Sequence, residues 1–137
     1  MVQIICGEKG KGKTKEMLQR AADSVASAKG VVVYLDKSHQ LMYELNNQVR
    51  LINVSEYPVS TYEGFIGFVS GLLSGNHDIE FVFIDSLIQV ANLTNDKIEE
   101  AVLALEKLSS DVNFICSISV DESVLEPSLK EKVIVSC

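Results

Sequence analysis

The chain is poor in cysteine, arginine and long hydrophobic runs, and it contains no tryptophan. Its three cysteines are widely spaced and odd in number, whereas metal sites favour close pairs and small disulfide scaffolds favour even counts. The longest apolar stretch, at 65–73, falls far short of the ~20 residues that a transmembrane helix needs. The opening apolar run at 2–6 is too short for a signal peptide and follows no basic segment. We therefore expect no membrane insertion and a cytoplasmic location.

Positive charge is scarce outside the first third of the chain. The formal net charge is −7 at pH 7, and no lysine or arginine occurs between Arg50 and Lys97. Residues 1–50 carry 8 basic and 5 acidic side chains, whereas residues 51–137 carry 4 and 14. Non-specific binding to nucleic acid needs a basic face, so this composition argues against it. The excess of lysine near the start of the chain requires another explanation.

Apolar runs with the length of strands alternate with segments of helical character. A chain of 137 residues fits one domain, here residues 1–137, and buries roughly two-thirds of its unfolded surface. Most of the runs are continuous rather than alternating, which is typical of parallel strands covered on both faces. We predict strands at 2–6, 31–35, 51–54, 79–84, 113–119 and 133–135.

The helical segments lie between these runs, at 14–28, 38–48, 60–74 and 95–108. Ser60 and Glu63 have the spacing of a capping box at the start of the third helix. Within it, Gly67 and Gly71 indicate a helix packed closely on the sheet. Strand–helix alternation with short connections predicts an α/β fold, a three-layer α/β/α sandwich with a mostly parallel sheet of five to six strands.

The most specific motif follows the first apolar run and reads Gly7-Glu8-Lys9-Gly10-Lys11-Gly12-Lys13-Thr14. It matches the phosphate-loop (Walker A) pattern G-x-x-x-x-G-K-[ST] in full. Glycines let the backbone curl so that its N–H groups point at phosphate oxygens, and the next helix adds its N-terminal N–H groups. The motif predicts that Lys13 contacts the β- and γ-phosphates and that Thr14 binds Mg²⁺. Lys9 and Lys11 either contact phosphate too or remain solvated.

A second motif completes the expected nucleotide site. Four apolar residues at 81–84 precede Asp85, which is the Walker B pattern. A phosphate-loop protein needs such a carboxylate at the end of another strand to hold Mg²⁺ through water. The position of Asp85, about 70 residues after the phosphate loop in an alternating α/β chain, predicts that it serves the metal.

Together these motifs resemble a minimal core of the RecA-like ATPases, which are P-loop NTPases. The likeness rests on the phosphate loop, on residues 33–39 and on residues 83–86, where Asp-Ser ends the Walker B strand. The resemblance covers most of residues 2–120 and implies that the strand at 113–119 lies between the Walker A and Walker B strands. There, Ser117 and Ser119 would face the γ-phosphate as sensors, or make ordinary hydrogen bonds at the strand end.

The residue expected to activate water departs from the family pattern. In RecA-like enzymes a glutamate near the end of the second strand polarises the attacking water, and Ser38 occupies that position here. A serine is not a general base near neutral pH without a partner. Asp36 is the best substitute, because a carboxylate at the carboxyl end of a strand can face the γ-phosphate. The alternative for Asp36 is the N-cap of the helix predicted at 38–48.

Two further departures concern arginine and DNA. Arg20 and Arg50 are the only arginines, and neither is placed to act as an arginine finger, which raises turnover by about 10³–10⁵. The connections that correspond to the family's DNA-binding loops are apolar at 86–94 and acidic at 120–130. Binding to nucleic acid is therefore not expected.

The sequence thus predicts a protein that binds ATP and Mg²⁺ and hydrolyses ATP slowly or with stimulation by a partner. The alternative is a nucleotide-dependent switch or assembly subunit with little turnover, acting on a protein partner or by self-assembly. The apolar connection at 87–93 would then be a partner surface, or it packs into the core. A small-molecule kinase is less favoured, since no arginine follows Arg50. ATP is the default nucleotide because no Asn-Lys-x-Asp guanine motif is present.

Overall fold

A computed structural model describes residues 1–108 and 111–137 of the chain. Within these residues a six-stranded sheet has the order β3-β2-β4-β5-β1-β6, and every neighbouring pair is parallel. The strands are β1 (Val2–Cys6), β2 (Val31–Asp36), β3 (Val49–Asn53), β4 (Ile79–Ile84), β5 (Asn113–Ile118) and β6 (Val133–Ser136). The α-helices are α1 (Lys13–Ser27), α2 (Tyr62–Gly75), α3 (Leu87–Val90), α4 (Ile98–Leu108) and α5 (Pro127–Lys130).

The predicted α/β sandwich is confirmed, and each of the six predicted strands forms. Helix α1 covers one face of the sheet, with Met17 and Ala21 buried against β2 and β4 residues such as Tyr34 and Phe83. Helices α2 and α4 cover the other face, where Phe65 packs in the larger hydrophobic cluster. Helices therefore cover both faces of the sheet, which explains the continuous apolar runs of its strands.

The predicted strand order is confirmed at the centre of the sheet. Strand β5 pairs with β1 on one side and with β4 on the other, as the RecA-like resemblance implies. The carboxyl ends of β1, β5, β4 and β2 therefore lie side by side along one edge of the sheet. In open parallel sheets, ligands bind outside this edge.

The helix predicted at 38–48 is wrong, because this segment forms a series of turns. Side chains in it bond to nearby backbone N–H groups: Ser38 Oγ accepts from Gln40 at 3.3 Å, and Asn46 Oδ1 accepts from Gln48 at 2.8 Å. Such local bonds compete with the helical ladder. Leu41 alone in this segment is buried, so no apolar face compensates for them.

Two details of α2 also differ from prediction. Thr61, not Ser60, caps the helix, since Thr61 Oγ1 accepts the Gly64 N–H at 2.9 Å. Gly67 and Gly71 are exposed, and a Cβ atom at either would meet nothing within 4 Å. The glycine spacing therefore faces away from the sheet, and the prediction that it mediates close packing on the sheet is wrong. The helical period places Phe65 and Val69, not the glycines, on the buried face.

The remaining boundaries shift by only a few residues. The helix predicted at 95–108 divides into a 3₁₀ turn, Asn95–Lys97, and helix α4. Strand β3 begins two residues earlier than predicted, at Val49. Within the described residues, no helix combines the length and the apolar character needed to cross a bilayer.

Candidate functional site

The phosphate loop connects β1 to α1 through backbone conformations that only glycine adopts readily. Gly7, Gly10 and Gly12 have φ of 152°, 87° and 89°, all in the range that disfavours side chains. The Gly7 N–H donates to the Val120 carbonyl at 2.9 Å and holds the start of the loop against the end of β5. Gly12 provides the N-cap of α1 without a side-chain hydrogen bond, so the first N–H groups of α1 keep their capacity for an anion.

Lys13 is buried in the loop that it belongs to. Its side chain is only 8% exposed, and Nζ donates to the Glu8 carbonyl at 3.0 Å. A buried ammonium needs acceptors, and among the described residues this carbonyl is the acceptor of Nζ. The lysine is thereby folded back over the loop. Thr14 follows it on the first turn of α1 and is exposed.

Asp85 lies directly after β4 and is nearly buried, at 4% exposure. Its Oδ2 accepts a hydrogen bond from the Tyr34 hydroxyl at 2.7 Å, and its Oδ1 accepts one from the Ser117 hydroxyl at 3.0 Å. Its backbone N–H donates to the Leu35 carbonyl at 3.0 Å, which extends the pairing of β4 with β2. The carboxylate is thus held from both neighbouring strands.

These elements enclose one cleft at the carboxyl edge of the sheet. It has a volume of about 420 Å³ and brings together the phosphate loop, the Walker B aspartate and the start of the α3 segment. Ser86, which follows Asp85, has a left-handed backbone with φ of 62°, and its N–H donates to Ser117 Oγ at 2.6 Å. The lining residues are Lys9, Gly10, Gly12, Lys13, Thr14, Asp85, Ser86, Gln89 and Ser119.

Asp36 ends the neighbouring strand β2 but does not line the cleft. It is half-buried, and its Oδ1 accepts the Lys37 N–H at 2.8 Å. Burial raises the pKa of this carboxyl group, the Lys37 N–H opposes the rise, and the charge of Asp85 adds to it. No helix follows, so the N-cap alternative is wrong. Beyond Asp36, a hydrogen bond between His39 and Glu56 connects the turn segment to the 3₁₀ turn that follows β3.

Comparison with known proteins matches the fold and nothing finer. No family model matches this chain, and no curated protein does. A solved KaiC-like protein of Pyrococcus horikoshii superposes with a TM-score of 0.67 at 16% identity, covering 95% of this chain and 67% of that one. The C. elegans protein PCH-2 superposes with a TM-score of 0.53 at 16% identity, covering 98% of this chain and 34% of that one.

The chain has the RecA-like P-loop NTPase fold. At 16% identity these superpositions establish the arrangement of strands and helices. The roles of side chains rest on the geometry of this chain alone.

Within this P-loop fold, the cleft contains the three side chains on which the predicted chemistry depends. Lys13, Thr14 and Asp85 all line it. Of the two lysines with open roles, Lys9 lines the cleft and Lys11 does not. Ser117 is buried beneath Asp85, whereas Ser119 lies at the surface of the cleft and lines it. The structure places the Ser117 hydroxyl against Asp85 and not in the cleft.

The sequence prediction gave no role of their own to three residues around the cleft. Ser86 and Gln89 line the cleft, and Tyr34 supports Asp85 from beneath. Gln89 is a polar residue within an apolar connection, and this contrast could have indicated that its side chain faces the site. The signal for Tyr34 was a tyrosine inside an aliphatic strand, since a buried tyrosine hydroxyl normally finds a partner.

The apolar connection after Asp85 packs into the core of the P-loop fold. Leu87, Val90, Ala91 and Leu93 are all buried in the larger hydrophobic cluster. Of the two alternatives for this segment, the structure therefore favours core packing over a partner surface. The short helix α3 anchors the segment and leaves Gln89 exposed at the cleft.

Proposed function

We propose that this chain binds Mg·ATP in the cleft and hydrolyses it slowly or with stimulation by a partner. The observation that carries the proposal is the convergence of Lys13, Thr14 and Asp85 on one cleft at the end of a glycine-rich loop. Each would supply a different part of triphosphate recognition: a cation, a hydroxyl and a carboxylate.

In this proposal, the phosphate loop and Lys13 bind the phosphates. The positive φ of Gly10 and Gly12 would let backbone N–H groups of the loop turn towards a phosphate, and α1 adds its uncapped N-terminus. Lys13 Nζ now donates to the Glu8 carbonyl. A triphosphate would replace that neutral acceptor with an anionic one, which adds attraction between opposite charges to a hydrogen bond that the ammonium already strengthens. The exchange favours binding.

The residues facing the cleft fit a magnesium ion. Mg²⁺ prefers oxygen ligands and binds through one or two protein groups plus phosphates and waters. Thr14 would supply a hydroxyl and Asp85 a carboxylate. Each Asp85 oxygen accepts one hydrogen bond from the described part of the chain, which leaves further lone pairs for metal-bound water. When bound, the ion neutralises phosphate charge and orients the γ-phosphoryl group.

The side of the site that would activate water is less complete, which supports slow turnover. Asp36 is the candidate for positioning water, because it ends β2 beside Asp85 and burial raises its pKa. Asp36 does not line the cleft, and no arginine in the described part of the chain lines the cleft either. A partner or a second copy of this chain would supply the missing cation.

A nucleotide-dependent switch is the second candidate, and Gln89 favours it. This side chain reaches the cleft from α3, whose Leu87 and Val90 are anchored in the core. A change of contacts at Gln89 would therefore be transmitted to a packed element. In this alternative the protein binds ATP tightly and releases little phosphate.

Calorimetry with Mg·ATP tests the proposal. We expect Lys13→Ala to weaken binding about 100-fold, since it removes a charged donor to the phosphates. Lys107→Ala, at an exposed lysine on α4, is the matched control and should bind as the wild type does. Absence of binding, or equal affinity in the wild type and Lys13→Ala, would refute nucleotide recognition by this loop.

A phosphate-release assay separates the two candidates. Slow release that Asp36→Asn lowers at least tenfold supports hydrolysis with Asp36 positioning water. Binding with negligible release supports the switch. Release that Asp36→Asn leaves unchanged removes Asp36 from the mechanism.

A further inference from the structure

Asp85 is held on both sides by hydroxyl groups from the two strands that flank β4. Tyr34 reaches it from β2 and Ser117 reaches it from β5. The two donors bind different oxygens of the carboxylate, at 2.7 Å and 3.0 Å. A single hydrogen bond leaves a carboxylate free to rotate about its own axis, whereas two bonds from opposite sides define its plane.

Tyr34 is fully buried, and its ring has a defined position. The register pairs Tyr34 with Phe83, and the two rings stack with centroids 5.9 Å apart and planes 12° apart. Phe83 lies two residues before Asp85, on the same face of β4. The stacked ring therefore directs the Tyr34 hydroxyl along β4 towards the carboxylate. A phenol is protonated at neutral pH, so the Tyr34 hydroxyl is the donor in its hydrogen bond with Asp85.

Packing alone does not require this hydroxyl. Phenylalanine would fill the same space and stack equally well on Phe83. The hydroxyl instead satisfies a carboxylate that is nearly buried and would otherwise lack its donor from β2. The hydroxyl of Tyr34 thus fixes the orientation of the Asp85 carboxylate.

We propose that Tyr34 is a positioning residue that, together with Ser117, orients the Asp85 carboxylate for a divalent cation. This inference rests on the proposed function, because it assigns Asp85 to a nucleotide-bound metal. It extends that function because Tyr34 gives strand β2, beside β4 and β5, a part in positioning the carboxylate for the metal. It also gives Ser117 a role beneath Asp85 in place of direct contact with phosphate.

The test compares ATP affinity in excess Mg²⁺ with ATP affinity in EDTA, by calorimetry on the full chain. We expect Tyr34→Phe to reduce the Mg²⁺-dependent gain in affinity about tenfold and to leave the affinity in EDTA unchanged. A general loss of structure would lower both values. Tyr62→Phe is the matched control, since its hydroxyl contacts the Glu100 carbonyl at 3.5 Å on another surface of the molecule.

Ser117→Ala gives a second measurement on the opposite oxygen, and it decides the matter if Tyr34→Phe is too unstable to assay. It should reduce the Mg²⁺-dependent gain in the same direction. A wild-type Mg²⁺ response in Tyr34→Phe, alongside a lost response in Asp85→Asn, would overturn the positioning role and leave the proposed function intact. A stronger Mg²⁺ response in Tyr34→Phe would also overturn it, since the hydroxyl would then hold Asp85 away from the metal. Failure of wild-type ATP binding would overturn both proposals.

Discussion

The carboxylates that end β4 and β2 lie next to each other but are held very differently. Asp85 is nearly buried and accepts hydrogen bonds from two side chains on two strands. Asp36 is half-buried, and the hydrogen bond that it accepts comes from the backbone of its own neighbour. Asp85 continues into a helix anchored in the core, whereas Asp36 continues into turns that expose Met42 and Tyr43.

Under the proposed function, this contrast divides the site into a preorganised side that would bind the metal and an open side that would position water. Preorganised groups are effective in catalysis because they need no rearrangement during the reaction. The open side lacks such support within this chain. A site built in this way would bind Mg·ATP readily and turn it over slowly until another molecule completed it. The following predictions test the contrast through stability.

The largest effect is expected from removing the ring that supports Tyr34. Phe83→Ala should lower the free energy of unfolding by about 3–5 kcal/mol, because Phe83 is fully buried and leaves a cavity. On the open side, Tyr43 is 90% exposed, and Tyr43→Ala should change stability by about 0.5 kcal/mol or less. Urea unfolding of both variants measures the difference. Similar losses of stability in the two variants would contradict the distinction between the preorganised side and the open side of the site.

An intermediate effect is expected at the first glycine of the phosphate loop. Gly7→Ala should destabilise the fold by about 1–2 kcal/mol, because φ is 152° and the new Cβ would come within 2.8 Å of Cys137 Cβ. Gly67→Ala is the matched control and should act in the opposite direction. Nothing lies within 4 Å of its new Cβ, and alanine in an exposed helix gains about 0.5–1 kcal/mol over glycine.

Thermal or urea unfolding measures both glycine variants. A stable Gly7→Ala variant would show that the loop is less constrained than its dihedral angles indicate. A destabilised Gly67→Ala variant would show that this face of α2 is covered in solution.

The smallest effect is expected at Asp36, and it depends on pH. Burial raises the pKa of Asp36 in the folded state, so the folded protein holds this proton more tightly than the unfolded chain. Its contribution to stability is present at acid pH and is lost as pH rises through the folded-state pKa. Asp36→Asn should therefore increase stability at pH 7 by about 0.5 kcal/mol or less, with a smaller gain near pH 4.

Urea midpoints at the two pH values measure this gain, and Asp111→Asn, at an exposed aspartate, provides the reference. A gain that grows towards acid pH would contradict the raised pKa of Asp36.

Local patterns predicted most of the fold. Continuous apolar runs mark the strands, most clearly the four central strands β1, β2, β4 and β5, which are largely buried on both faces, and this signal does not depend on distant residues. The turn segment at 38–48 was the main failure. Its composition permits a helix, but Ser38 and Asn46 bond to the backbone locally, and Leu41 is its one buried anchor. The prediction that Gly67 and Gly71 face the sheet was also wrong, because the spacing of two glycines does not say which face of a helix they occupy.

The sequence by itself determined the phosphate loop, the alternation of strands and helices, and the aspartate that ends β4, because each is encoded by neighbouring residues. Only the tertiary structure decided how that aspartate is held. Tyr34 is 51 residues from Asp85 in the chain, and Ser117 is 32 residues from it. They meet because the strand order places β4 between β2 and β5. The sequence alone shows the lysine-rich loop, whereas the support beneath Asp85 depends on the order of strands in the sheet.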